Sequence, residues 1–160
     1  MPEPMHLLVV DDAIGHAQLV VELLRSGEAW PDANMTIAVS YDEAVAALVA
    51  QPFDVAIVDY WLGARDGLML LRDVRHRGIE TPFVMLTSRG AEEVAVEAMK
   101  AGAADYLSKA NLSVEALERA VRHALALHAE EEQRWQAEAR CARARSGSAR
   151  WSRTARTRCC

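Results

Sequence analysis

The chain has 160 residues, 51% of them hydrophobic, and a formal charge of −5. That length suits one ordinary domain with an appendage, and the apolar content is ample for a core; two full domains would be a squeeze. The charge is divided: residues 1–132 carry 10 Lys/Arg against 22 Asp/Glu, residues 133–160 carry 8 Arg against Glu138 alone, and the cysteines (Cys141, Cys159, Cys160) all lie in the basic part, which leaves the acidic part no thiol for a disulfide or a zinc site.

The N-terminal "MPEPMH" has no basic flank, and no apolar stretch reaches the roughly 18 residues of a membrane span, so a cytoplasmic protein in a reducing compartment is expected. The first apolar run, "MHLLVV" (5–10), reads as a strand and ends on Asp11 and Asp12. A helical period follows over 14–26, then a run "MTIAV" (35–39), then a helix over 42–50. "FDVAIV" (53–58) is the third strand and ends on Asp59; Asp66 and Gly67 form a turn and cap before a helix over 67–77, which Gly78 stops. "PFVML" (82–86) ends on Thr87, a helix covers 92–101, and Gly102 stops it. "ADYLS" (104–108) ends on Lys109, and Ser113 caps a last helix over 114–133. That helix carries Val114, Leu117, Val121, Ala124 and Leu125 on one face and loses its apolar stripe after His128. From about Cys141 the Arg/Ala/Ser/Thr mixture has no period and is expected to be unstructured alone. The expected division is a domain over 1–126 and, over 127–160, a helical extension with an Arg-rich tail.

Five strands alternating with helices short enough to be crossovers predict an α/β fold: a doubly wound five-stranded parallel sheet, order 2-1-3-4-5, with an extended C-terminal helix. Parallel strands all end on one edge, and ligands of such sheets bind outside those ends, near the point where strand order reverses. Asp59 then lies beside Asp11 and Asp12, with Thr87 and Lys109 next along. Two carboxylates about 5 Å apart at an effective dielectric near 20 repel by roughly 3 kcal/mol, so three on one edge demand compensation. A hard divalent cation supplies it, and carboxylate and carbonyl oxygens suit Mg²⁺. Lys109 adds positive charge, and Thr87 a hydroxyl able to donate to a phosphoryl oxygen.

The motifs "DD", "VDY" followed by "DG", "LTS" and "GAADYLSK", in this order at successive strand ends, resemble the receiver domain of two-component response regulators over about residues 5–126. The resemblance implies a flavodoxin-like fold and a phosphoacceptor signalling domain rather than an enzyme with turnover. Asp59 would accept a phosphoryl group from a histidine kinase, a phosphotransfer protein or a small phosphodonor. Asp12 would coordinate Mg²⁺ directly and Asp11 mainly through water, with Asp59 and the backbone carbonyl of Trp61 completing the protein ligands. Lys109 would pair with the phosphoryl oxygens, Thr87 would move toward them, and Tyr106 would swing inward behind it. The output would be a shift between two packings of the face formed by the fourth helix, fifth strand and last helix, a face that also leaves homodimerisation open.

Three departures from the common receiver pattern stand out. Ala110 follows Lys109 where many receivers have a cis-proline, and Trp61 and Arg89, two residues after Asp59 and Thr87, could screen an acyl phosphate from water and slow its loss. Two other readings compete. A receiver-like interaction module working without phosphate loses ground because no acidic, Thr or Lys position is missing. An Asp-nucleophile phosphatase needs an acidic residue two positions after the nucleophile, and Asp59 is followed by Tyr60 and Trp61. His6, His16, His76, His123 and His128 share no metal spacing and read as surface residues. The Arg-rich tail has no recognition helix, which disfavours nucleic acid as a partner.

Overall fold

A computed structural model describes residues 3–88 and 92–147. At its centre lie β1 (His6–Val10), β2 (Asn34–Ala38), β3 (Val55–Asp59), β4 (Phe83–Thr87) and β5 (Asp105–Ser108). They pair in parallel in the order β2-β1-β3-β4-β5, the topology expected from the sequence. The three inner strands come from near-continuous apolar runs, and nearly all of their residues are buried, as a sheet covered on both faces requires. The edge strands β2 and β5 are only partly covered.

The connections are α1 (Ile14–Ser26), α2 (Tyr41–Ala50), α3 (Gly67–His76), α4 (Glu92–Ala101) and α5 (Val114–Gly147). The period of two sorts each inner strand between two layers. Leu8 and Val10, Ala56 and Val58, and Phe83 and Met85 join Ala44, Leu48, Leu70, Leu71, Val74 and Ala98 of α2, α3 and α4 in one cluster. Their neighbours Leu7, Val9, Val55, Ile57, Val84 and Leu86 face the opposite side, where α1 buries Ala17, Val20 and Leu24 and α5 buries Leu117, Ala120, Val121 and Ala124. Fully burying one such leucine or valine contributes about 1.5–3 kcal/mol.

The punctuation follows the sequence. Asp66 caps α3 by accepting from the Met69 N–H at 2.8 Å, and Ser113 accepts from the Ala116 N–H at 3.1 Å. Gly78 and Gly102 follow α3 and α4 with φ of 80° and 102°, the left-handed geometry that ends a helix. A two-residue ladder, Trp61–Leu62 against Arg65–Asp66, lies between β3 and α3.

The chain divides into two compact units, one through Leu125 and one from Ala126. In the second, the helix continues to Gly147, beyond the end at 133 that the fading apolar stripe suggested and into the stretch expected to be unstructured. Composition supplies the reason: residues 134–147 are mostly Arg, Ala, Glu and Gln, strong helix formers that need no buried face. The i,i+4 contact of His128 Nε2 with Glu132 Oε1 at 3.4 Å adds side-chain support, while Trp135 stays 73% exposed. Residues 148–160, with Trp151, Cys159 and Cys160, lie outside the described residues. No described helix is long and apolar enough to cross a membrane.

Candidate functional site

β1 and β3 are direct neighbours, with Val10 opposite Val58, so the residues that follow these partners, Asp11 and Asp59, emerge side by side at the carboxyl edge. Both are buried, Asp12 is exposed, and one carboxylate oxygen of each of the three lies within 4.8 Å of the others.

Asp11 is fixed on three sides. Its N–H donates to the Ala38 carbonyl at 3.1 Å, its Oδ1 accepts from the Ala13 N–H at 2.9 Å, and its Oδ2 accepts from Lys109 Nζ at 2.9 Å. The first turn of α1 thus leans on this carboxylate: Ala13 occupies the cap position and has no side-chain bond of its own. Asp12 makes no hydrogen bond or ion pair among the described residues, so it is not spent on capping the helix.

Asp59 Oδ2 pairs with the same Lys109 Nζ at 3.0 Å. Its Oδ1 is buried and has no hydrogen-bond partner among the described residues. Leaving a charged oxygen without a partner in the interior costs one or more kcal/mol, and burial pushes the Asp59 carboxyl above its ordinary pKa, with Asp11 adding repulsion, against the pull of Lys109 and, more weakly, of the Trp61 backbone N–H. Burial alone would depress Lys109; the hydrogen bonds to Asp11 and Asp59 overcome it and raise the ammonium above its ordinary value. Three carboxylates at this spacing fit a hard divalent cation bound through oxygen. Asp11, Asp12 and Asp59 are the residues that could hold it.

Lys109 opens a 3-10 turn, Lys109–Asn111, that Ser108 caps by accepting from the Ala110 N–H at 3.3 Å. No described peptide bond is cis; the Lys109–Ala110 bond is trans, and this turn delivers the ammonium without a proline. Gly67 is needed at close quarters: a Cβ there would come within 2.8 Å of the Asp59 carbonyl oxygen and 2.5 Å of Met85 Cε. Only a residue without a side chain lets α3 start against the backbone of the acidic strand end.

Thr87 is buried at the end of β4, and its hydroxyl points to the neighbouring strand, donating to the Leu107 carbonyl at 3.4 Å. The Tyr106 side chain is 46% exposed on β5, an outward position. The Trp61 ring is 58% exposed and meets the Tyr60 ring edge-on at 4.9 Å. Arg89 lies outside the described residues.

Sequence reasoning passed over His16 as one more surface histidine. It is 62% exposed, yet its Nδ1 lies 3.4 Å from Lys109 Nζ and 3.8 Å from Asp11 Oδ2. The signal was its place one helical turn past the "DD" pair.

The resemblance suggested by the motifs is matched by comparison with known proteins. The family model for the response regulator receiver domain matches residues 7–122. The transcriptional regulatory protein ZraR of Salmonella typhimurium is 34% identical over 120 residues, 73% of this chain and 26% of that protein. The chain thus spans about a quarter of the length of that curated relative. Among solved structures, the receiver domain of NtrX from Brucella abortus aligns with a TM-score of 0.67 at 30% identity, covering 74% of this chain and 97% of that one. A putative response regulator from Chloroflexus aurantiacus gives 0.68 at 30% identity, covering 78% and 99%.

Proposed function

The chain belongs to the response regulator receiver domain family, and from that premise we propose that Asp59 accepts a phosphoryl group from the phosphohistidine of a histidine kinase or phosphotransfer protein in a Mg²⁺-dependent reaction. The observation that carries this reading is the asymmetry of the Asp59 carboxylate: Oδ2 is held by Lys109 at 3.0 Å while Oδ1, buried, has no partner among the described residues. One oxygen is oriented and the other is left as the nucleophile. In the transfer the Oδ1–P bond forms, the P–N bond of the donor phosphohistidine breaks, and the departing imidazole nitrogen takes up a proton.

Bound magnesium would neutralise charge on the phosphoryl oxygens, with Asp11, Asp12, Asp59 and the Trp61 carbonyl as its protein ligands. Lys109, already at the acceptor, stabilises a further oxygen. Thr87 exchanges its Leu107 carbonyl for the new phosphoryl oxygen, and the space it leaves is taken by Tyr106 turning inward. The α4/β5/α5 face, which exposes Val96, Met99 and Tyr106, carries the change to a partner or to a second copy. The domain occupies about residues 1–126 and acts in the cytoplasm.

Incubation with acetyl phosphate and Mg²⁺ followed by intact mass tests the proposal. The expected result is a gain of one phosphoryl group that needs the metal and disappears in Asp59→Asn. Labelling that persists in that variant would move the acceptor elsewhere.

A further inference from the structure

An ammonium group has three N–H donors and accepts nothing. Around Lys109 the described residues place three acceptor atoms: Asp11 Oδ2 at 2.9 Å, Asp59 Oδ2 at 3.0 Å and His16 Nδ1 at 3.4 Å. The first two are the carboxylates of the acidic edge. The third comes from a different element, the first turn of α1, whose position is itself set by Asp11 through the Ala13 N–H. His16 also lines a cavity of about 200 Å³ together with Asp11, Leu19, Val20, Leu86, Lys109 and Leu112, so it stands where the ammonium meets solvent.

We infer that His16 is a positioning residue for Lys109: its neutral ring, protonated on Nε2, offers the Nδ1 lone pair as the third acceptor and holds the ammonium across Asp11 and Asp59. A lysine head on four flexible methylenes is costly to hold in one place, and a carboxylate pair fixes only two of its three donors. An imidazolium would turn an N–H toward the ammonium and repel it; the Nδ1-protonated neutral ring would present a donor to a donor. The Nε2–H tautomer alone satisfies the contact. At 3.4 Å the bond is long, so its effect is a bias on the position of Lys109 rather than an anchor. The reach is local in sequence: "DDAIGH" places the ring one turn beyond the acidic pair. During transfer the same contact keeps the ammonium beside Asp59 while the carboxylate exchanges its charge for a phosphoryl group. The inference rests on the phosphoacceptor reading for its consequence, though not for its geometry.

Two measurements on the full chain separate the two. Imidazole nitrogen–proton correlation spectra of protein with ¹⁵N-labelled histidine report the His16 tautomer without any phosphodonor. The expected spectrum shows the Nε2–H form at His16, assigned by its loss in His16→Asn, and a shift toward mixed tautomers in Lys109→Met. A Nδ1–H form, or a tautomer indifferent to Lys109→Met, overturns the inference even if Asp59 is labelled. Labelling rates with acetyl phosphate and Mg²⁺ supply the second readout. His16→Leu is expected to lower the rate at saturating donor roughly 3- to 10-fold with half-saturation unchanged, and His16→Asn, which keeps an acceptor, to recover most of it. A leucine variant as fast as the parent, or an asparagine variant as slow as the leucine, also overturns it. If no donor labels the parent protein, the phosphoacceptor reading fails while the tautomer experiment still decides the contact.

Discussion

At one end of the sheet's carboxyl edge, Lys109 engages two buried carboxylates at 2.9 and 3.0 Å; at the other, the Thr87 hydroxyl reaches its only partner among the described residues at 3.4 Å and the Tyr106 side chain stands 46% exposed. The first end gathers the carboxylates that follow β1 and close β3, with Lys109 reaching in from the turn after β5; the second is the end of β4 and the edge strand β5 itself. At the acidic end, where the proposed transfer would take place, charge is gathered and fixed in advance at an energetic cost, seen in Asp59 Oδ1, without a hydrogen-bond partner among the described residues, and in the raised Asp59 pKa. At the far end, which the proposed function makes the readout, contacts are weak enough that a second arrangement lies within reach of one new phosphoryl group.

The largest effect should come from removing the cation that holds the acidic end together. Lys109→Met leaves Asp11 and Asp59 buried without their partner, and breaking such a pair costs about 3–5 kcal/mol; urea unfolding at neutral pH should show a loss near the lower figure, since Lys109 is 21% exposed. Added Mg²⁺ should restore part of it by binding the folded state alone. A variant as stable as the parent without metal would mean that the two ends do not differ as described. Gly67→Ala comes next. The new Cβ meets the Asp59 carbonyl, which cannot yield, and overpacking of this kind costs about 1–3 kcal/mol; thermal unfolding would reveal it.

The acidic end should also carry a pH signature. Because the folded-state pKa of Asp59 is raised, the native protein binds this proton more tightly than the unfolded chain does. Its contribution to stability therefore falls as pH rises from the ordinary carboxylate value through the raised one. Denaturation series across that window should show the decline in the parent and not in Asp59→Asn. Lys109 works in the opposite sense of burial: its pKa is raised by its partners, so its stabilisation is complete below the ordinary lysine value and disappears only on passing into the alkaline range. The smallest changes are expected at the far end. Thr87→Val and Tyr106→Ala should each alter stability by under about 1 kcal/mol and leave labelling of Asp59 intact, while abolishing the spectral differences that labelling produces in the α4/β5/α5 face.

The strand ends were legible because each inner strand is an apolar run closed by a residue of different chemistry, and a parallel sheet brings such ends to one edge whatever the loops do. Asp11, Asp59, Thr87 and Lys109 could thus be placed together before any coordinates. What the pattern could not carry were choices made between atoms. Nothing in "LTS" says that the Thr87 hydroxyl rests on the Leu107 carbonyl. The turn after Lys109 forms with a trans bond and a Ser108 cap, an alternative to proline that needs three-dimensional context. His16 was missed because metal spacing was the test applied to histidines, whereas its partner is an ammonium on another element. The apolar stripe marks only the part of α5 that packs on the sheet, and residues 134–147 are helical by propensity instead.

The most direct test follows backbone amide shifts as acetyl phosphate and Mg²⁺ label the protein. The account predicts that, beyond the immediate surroundings of Asp59, the large changes fall at Thr87, Tyr106 and the adjoining faces of α4 and α5, with β1 and the body of β3 nearly still. Changes confined to the Asp59 loop, or spread evenly through the sheet, would contradict it.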